Sequence, residues 1–177
     1  PQAKNEWLRT LGHVCDSTGL AWIDQLQVAS PMEEGLIRCY YELAQRKHVT
    51  PKTIATAVDY LGDSHTPQTQ HWAAYTLYRC YRVGKDDFAA HADALFQSFQ
   101  NHSDPMVRIK LAHCIQGTQS EKVAQTLVYA LQNDSDYRVK VAALLSLRKQ
   151  DYTAASEAAT QFLHHNNPNL CFSAGQF

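Results

Sequence analysis

A polar sequence motif that occurs twice, roughly thirty residues apart, constrains the fold of this chain more than any other feature. The first copy is NHSDPMVRIKLAHC at 101–114, and the second is QNDSDYRVKVAALL at 132–145. Each copy has a turn rich in Asn, Ser and Asp, followed by Arg, an apolar residue, Lys, an apolar residue and Ala. A chain that repeats one turn and one helix start is built from repeated structural units.

Helix-start signals recur at similar intervals along the rest of the chain. An N-cap residue followed by proline at the first helical position is predicted at Ser30-Pro31, Thr66-Pro67, Asp104-Pro105 and Asn167-Pro168. The second copy of the motif has Asp136 at the N-cap position and Tyr137 at the first helical position. Successive starts therefore lie about 30 to 38 residues apart, which is the period of solenoids built from helical pairs.

Apolar residues recur at helical spacing between these starts, and no stretch alternates as a strand does. The sequence therefore predicts an all-α fold of about four to five helical pairs. The other helix of each pair is expected at 20–28, 51–62, 87–100, 120–132 and 152–165. Because one pair cannot cover its own apolar face, the pairs are expected to stack as a single domain over 1–177, with units at 20–46, 51–83, 87–116, 120–149 and a partial unit at 152–177.

Composition excludes several functional classes. Hydrophobic residues make up 45% of the chain and charged residues 19%, but no apolar run approaches the roughly 20 residues that cross a membrane. The formal net charge of -1 gives no overall attraction to nucleic acid or to an anionic membrane. Five cysteines, an odd number without a CxxC pair, predict a reducing, cytoplasmic location and no disulfide framework.

Two segments resemble the HEAT-repeat family. They are SDPMVRIKLAHCI at 103–115 and DSDYRVKVAALLSL at 134–147. The similarity is clear over 87–149 and weaker over TPQTQHWAAYTL at 66–77, where Gln70 takes the place of Arg, and over SPMEEGLIRCYYEL at 30–43. Armadillo-like or other helical-pair repeats are therefore alternatives. The resemblance implies a HEAT-like solenoid, which is a right-handed α-α superhelix. It also implies that two polar pairs, Asp104 with Arg108 and Asp134 with Arg138, belong to a ladder of hydrogen bonds and ion pairs between neighbouring units. The alternative role of these pairs is ligand contact.

No metal, cofactor or catalytic motif is found. The nine histidines lack metal-ligand spacing, and none is followed by Glu, as the di-iron arrangement of HEAT-like hydroxylases requires. GxSxG and glycine-rich phosphate loops are also missing. The sequence therefore predicts a protein that is not an enzyme and carries no cofactor and no metal.

Charge differs between the two sets of predicted helices. The helices at 32–46, 67–83, 105–116 and 136–149 together carry net positive charge, and the other set carries net negative charge. Since the resemblance implies that the former line the concave face, this face is predicted to be basic and to bind a protein or an acidic peptide. The alternative is an ordinary solvated helix surface. The predicted partner-binding residues are His71, Tyr75, Arg79, Arg82, Lys110, His113 and Lys140.

The predicted function is a protein–protein interaction or scaffold module. The alternative is a HEAT-like enzyme, either a DNA glycosylase-type nucleic-acid binder or a bilin lyase-type attachment protein. Trp72 and Asp59 are available for the former, although a Trp in such a helix is more typical of a core, and the near-neutral charge argues against nucleic acid. We also expect an internal segment of a longer solenoid, because the chain starts at Pro1 without Met and stops soon after HNNPNLCFSAGQF begins a new unit. The alternative is a free-standing domain with a short final cap. The open ends of the solenoid are expected to allow self-association.

Overall fold

The computed structural model describes residues 2–84 and 88–177. Every regular element in these two ranges is helical, which confirms the all-α prediction. The helices form two compact units, the first unit from Pro1–Asp87 and the second unit from Phe88–Phe177. The single domain predicted over 1–177 stays a prediction.

The helices of the first unit are α1 (Gln2–Val14), α2 (Ser17–Ile23), α3 (Glu33–Gln45), α4 (Pro51–Asp59) and α5 (Pro67–Arg82). Polar side chains define three of their starts. Asp16 accepts hydrogen bonds from two backbone N–H groups of α2, Thr50 forms a reciprocal capping box with Thr53 at the start of α4, and Thr66 caps α5.

Helix α3 is the centre of the first unit, where it packs against α1 and α5, while α4 packs against α5. Its buried side chains include Leu36, Ile37 and Leu43. Glycine allows α1 and α3 to touch through their backbones. A Cβ atom at Gly12 would lie 2.8 Å from the Cα atom of Cys39, so no larger residue fits there without displacing a helix.

The helices of the second unit are α6 (Ala92–Asn101), α7 (Pro105–Cys114), α8 (Lys122–Asn133), α9 (Tyr137–Gln150), α10 (Tyr152–Thr160) and α11 (Pro168–Ala174). Consecutive helices pack as pairs, α6 with α7, α8 with α9 and α10 with α11. Helix α9 also contacts α7, α10 and α11. Its fully buried residues, such as Val139, Leu144 and Leu147, form the middle of this core.

Most of the predicted N-caps are confirmed, and one is wrong. Thr66, Asp104, Asp136 and Asn167 each accept a backbone N–H in the first turn of their helix. Ser30 does not, because it lies inside a 3₁₀ turn at Ser30–Met32 that has no side-chain cap. A residue of α1 serves this helix start instead. Asn5 accepts a hydrogen bond from the Gly35 N–H at 3.1 Å and donates one to the Pro31 carbonyl at 2.9 Å.

Within 2–84 and 88–177, no helix combines the length and apolar character needed to cross a membrane.

Candidate functional site

One position is used in the same way in four helices. It is the fourth residue after the N-cap, where a side chain donates to a carbonyl near the end of the preceding helix. Gln70 donates to Gly62 at 2.9 Å, and Arg108 donates to His102 at 2.6 Å. Lys140 donates to Gln132 at 3.2 Å, and the Cys171 thiol donates to Leu163 at 2.9 Å. This shared contact holds each helix to the segment before it and gives the structural register of the repeat.

The structural register shifts the alignment of the two copies of the repeated motif by two residues, from Arg108 with Arg138 to Arg108 with Lys140. Lys140 is the counterpart of Arg108, because both lie four residues after a capping Asp. Arg138 lies only two residues after its cap and binds that cap, Asp136, through two hydrogen bonds of 3.0 and 2.7 Å. These hydrogen bonds lower the pKa of the Asp136 carboxyl.

Arg108 links two consecutive helical pairs. Its Nε and Nη2 atoms donate to the two carboxylate oxygens of Asp134 at 2.8 and 2.9 Å. Asp134 lies in the α8–α9 turn, and the two side chains are only 11% and 10% exposed. Asp134 also accepts the backbone N–H of Asp136 at 2.8 Å. A polar link between neighbouring units is therefore present, and it supports a cohesive role for Arg108 and Asp134 rather than ligand binding. The predicted pairing of Asp134 with Arg138 is wrong, because Asp134 binds Arg108 and Arg138 binds Asp136.

The structure places four of the predicted binding residues along one side of α5. The His71 ring stacks on Tyr75 with centroids 4.6 Å apart. Arg79 donates to the Gln45 side chain of α3 at 3.1 Å, and the Arg82 guanidinium lies 6.0 Å from the centroid of the Tyr78 ring. Helical spacing is sufficient to predict that these residues share a face.

Two residues of α3 extend this face, and sequence reasoning missed both. The Tyr41 ring lies 5.2 Å from Trp72 and 6.5 Å from Tyr75, between centroids. The Arg38 guanidinium lies 4.9 Å from the centroid of the Trp72 ring and pairs with Glu34 at 3.2 Å. Trp72 is half-buried rather than a core residue. We call Arg38, Tyr41, His71, Trp72 and Tyr75 the aromatic–cation cluster.

An open groove runs between α7, α9 and α11 in the second unit. Its volume is about 440 Å³, and its apolar lining includes Ile109, Val141, Leu145 and Phe172. His113 lines it as well, with its Nδ1 atom 2.8 Å from the Oγ atom of Ser146. We call this surface the α7–α9–α11 groove.

The other two predicted residues of the second unit lie in different places. Lys110 follows the groove residue Ile109 on α7, and its partial burial lowers the pKa of its ammonium group. Lys140 does not line the groove. Its ammonium group donates to the carbonyl of Gln132 at the end of α8. His113 therefore lines the groove, whereas Lys110 and Lys140 do not line it and are chain neighbours of its residues Ile109 and Val141.

The described residues offer no evident chemistry. No group of three or more His, Cys, Asp and Glu side chains in the described ranges is placed to hold a metal ion. Burial raises the pKa of the Cys39 and Cys80 thiols to about 12, so neither is a nucleophile near neutral pH.

The repeated helix pairs and their shared linking contact define a helical-repeat protein. Residues 92–174, which include all of α6 to α11, match the family model described as HEAT repeats. This match supports the resemblance to HEAT repeats over the helices of the second unit. HEAT repeats generally mediate protein–protein interaction, and the family is typically a non-enzymatic scaffold. The comparison with curated proteins finds no match.

Proposed function

We propose that this chain is a protein-interaction module that binds an acidic segment of a partner protein and performs no reaction of its own. The observation that carries this proposal is the aromatic–cation cluster, in which aromatic rings and guanidinium groups share one half-exposed face of α3 and α5. The cluster includes His71 and Tyr75, and Arg79 and Arg82 continue along the same side of α5.

The chemistry of the cluster suits a carboxylate-bearing or phosphorylated peptide. Arg binds carboxylate and phosphate groups in a bidentate manner, and Tyr, Trp and Arg dominate the energetics of protein interfaces. The Trp72 ring and the Glu34 carboxylate position the Arg38 guanidinium, so a partner carboxylate competes with Glu34 for it. Arg79 is held by the neutral amide of Gln45, so this contact orients its positive charge without neutralising it.

The enzyme alternatives gain no comparable support. A DNA glycosylase-type protein needs a basic groove, but the net charge of this chain is -1. No cluster among the described residues favours pigment attachment. The five cysteines are free thiols, which supports a reducing, cytoplasmic location. Self-association through the ends of the helix stack stays a prediction.

The proposal predicts that Tyr75→Ala combined with Arg79→Glu abolishes partner capture. Affinity capture from a native lysate, followed by mass spectrometry, measures the loss, which we expect to be at least about tenfold because aromatic and Arg side chains are interface hot spots. The matched control is Tyr129→Ala with Lys122→Glu, since these exposed residues lie on α8 of the second unit.

Circular dichroism establishes whether each variant is folded. If the double variant loses helix content, Arg79→Glu alone becomes the readout, because it removes no ring. Equal capture by the native chain and the folded variants would contradict the proposal. Enrichment of nucleic acid or of a pigment-bearing protein would favour the corresponding enzyme alternative.

A further inference from the structure

We propose that the α7–α9–α11 groove binds a bulky apolar side chain of the partner and that carboxylates flank this side chain. The inference rests on the proposed function, because it concerns the same class of acidic partner. It uses different residues, however, all of them within the second unit.

The shape of the groove favours an apolar anchor. Tyr137, Val141 and Leu145 follow one another at four-residue spacing along α9, so their side chains form one continuous stripe. Phe172 of α11 borders the groove and is 72% exposed, which is unusual for a ring of this size. The volume of about 440 Å³ lies within the range typical of ligand pockets. It accommodates one aromatic or aliphatic side chain together with part of its backbone.

The charges of the three helices favour acidic flanks. Helices α7 and α9 contain Lys and Arg residues but no Asp or Glu, and α11 contains no charged residue. Arg108 and Arg138 are paired with carboxylates of the turns. Lys110, beside the groove, and Arg148 and Lys149, in the last turn of α9, add positive charge to the same helices. A basic peptide would meet like charge on these helices, whereas an acidic peptide would meet opposite charge.

Selection of random peptides tests this proposal without knowledge of the partner. Peptides of about twelve residues are displayed on phage and selected on the immobilised full chain, and the enriched peptides are synthesised with a fluorescent label. We expect them to share a Phe, Trp or Leu with Asp or Glu nearby. Fluorescence anisotropy should show that Phe172→Ala weakens their binding about tenfold. Tyr129→Ala, which removes another exposed ring of the same unit, should bind them with native affinity.

Several outcomes would overturn the inference. They are a failure to enrich any peptide, enrichment of basic peptides or peptides without a bulky apolar residue, and undiminished binding by Phe172→Ala. A dimer that light scattering detects and that Phe172→Ala dissociates would assign the groove to a second copy of the chain instead. Peptides that depend on Tyr75 and Arg79 but not on Phe172 would overturn this inference and leave the proposed function intact.

Discussion

In the second unit, the turn residue two positions before a helix cap determines where a bidentate link between helical pairs can form. His102, Asp134 and His165 occupy this position, and each accepts the backbone N–H of the cap that follows, at 3.0, 2.8 and 3.0 Å. Only Asp134 supplies a carboxylate, and it receives both hydrogen bonds from Arg108 of the preceding pair. At the next turn, His165 supplies no carboxylate, and the counterpart of Arg108 is Lys140, which donates to the Gln132 carbonyl, so the bidentate link is not repeated there.

Arg108→Ala should therefore destabilise the second unit by about 3 kcal/mol, because it leaves the largely buried Asp134 carboxylate without its cation. Urea unfolding followed by circular dichroism measures the loss. The combined Arg108→Met and Asp134→Leu variant should recover only part of it. Apolar residues replace both charges, but the Asp136 N–H loses its acceptor and the His102 carbonyl loses its donor.

Arg138→Ala is the matched control for this prediction, because Arg138 is half exposed and pairs with the cap of its own helix and with Met106. Its unfolding midpoint should change much less than that of Arg108→Ala. Equal effects of the two substitutions would show that burial and the link between pairs do not matter.

At the scale of the helix, local capping chemistry was predictable from sequence, but element bounds were less so. The helix starts at Thr66, Asp104 and Asn167 are predictable because the cap and its proline are neighbours in sequence. Helix α2 begins at Ser17, before the predicted 20–28, because Asp16 caps it. Helix α6 begins at Ala92, because a 3₁₀ turn at Ala89–His91 precedes it; the predicted start at residue 87 lies outside the described residues.

The candidate site shows the same division between local and non-local information. His71, Tyr75, Arg79 and Arg82 lie on one side of α5, as helical spacing alone predicts. Arg38 and Tyr41 lie on a different helix, and only the packing of α3 against α5 brings them to Trp72. The sequence analysis aligned Arg108 with Arg138, whereas the positions of the caps align Arg108 with Lys140, which donates to the Gln132 carbonyl.

The Thr50 capping box gives a prediction at this scale. Thr50→Ala should destabilise the first unit by about 1 kcal/mol, because it removes the acceptor of the Thr53 N–H at 3.2 Å. Thr50→Ser keeps the hydroxyl and should retain most of the stability. Urea unfolding of both variants distinguishes the hydroxyl from the methyl group, and equal destabilisation by Ala and Ser would exclude the capping box as the cause.

At the scale of the whole molecule, the reactivity of the cysteines can be used to follow the unfolding of both units. Cys39 and Cys80 are fully buried in the first unit, and Cys114 is fully buried in the second. Cys15 and Cys171 are partly exposed, one in each unit. The raised pKa of the Cys39 and Cys80 thiols, about 12 in each case, leaves almost no thiolate at pH 8. Burial and protonation therefore both protect these two thiols from alkylation.

Iodoacetamide at pH 8 should accordingly modify Cys15 and Cys171 first and leave Cys39, Cys80 and Cys114 unmodified, as peptide mass spectrometry can show. Repeating the labelling as brief pulses at increasing urea concentration tests the single-domain prediction. In a stack of helical pairs, each pair depends on its neighbours, so Cys80 and Cys114 should become reactive at one urea concentration. Separate midpoints for these two thiols would mean that the units unfold as two domains, and early labelling of Cys39 without urea would contradict the packing of α3 itself.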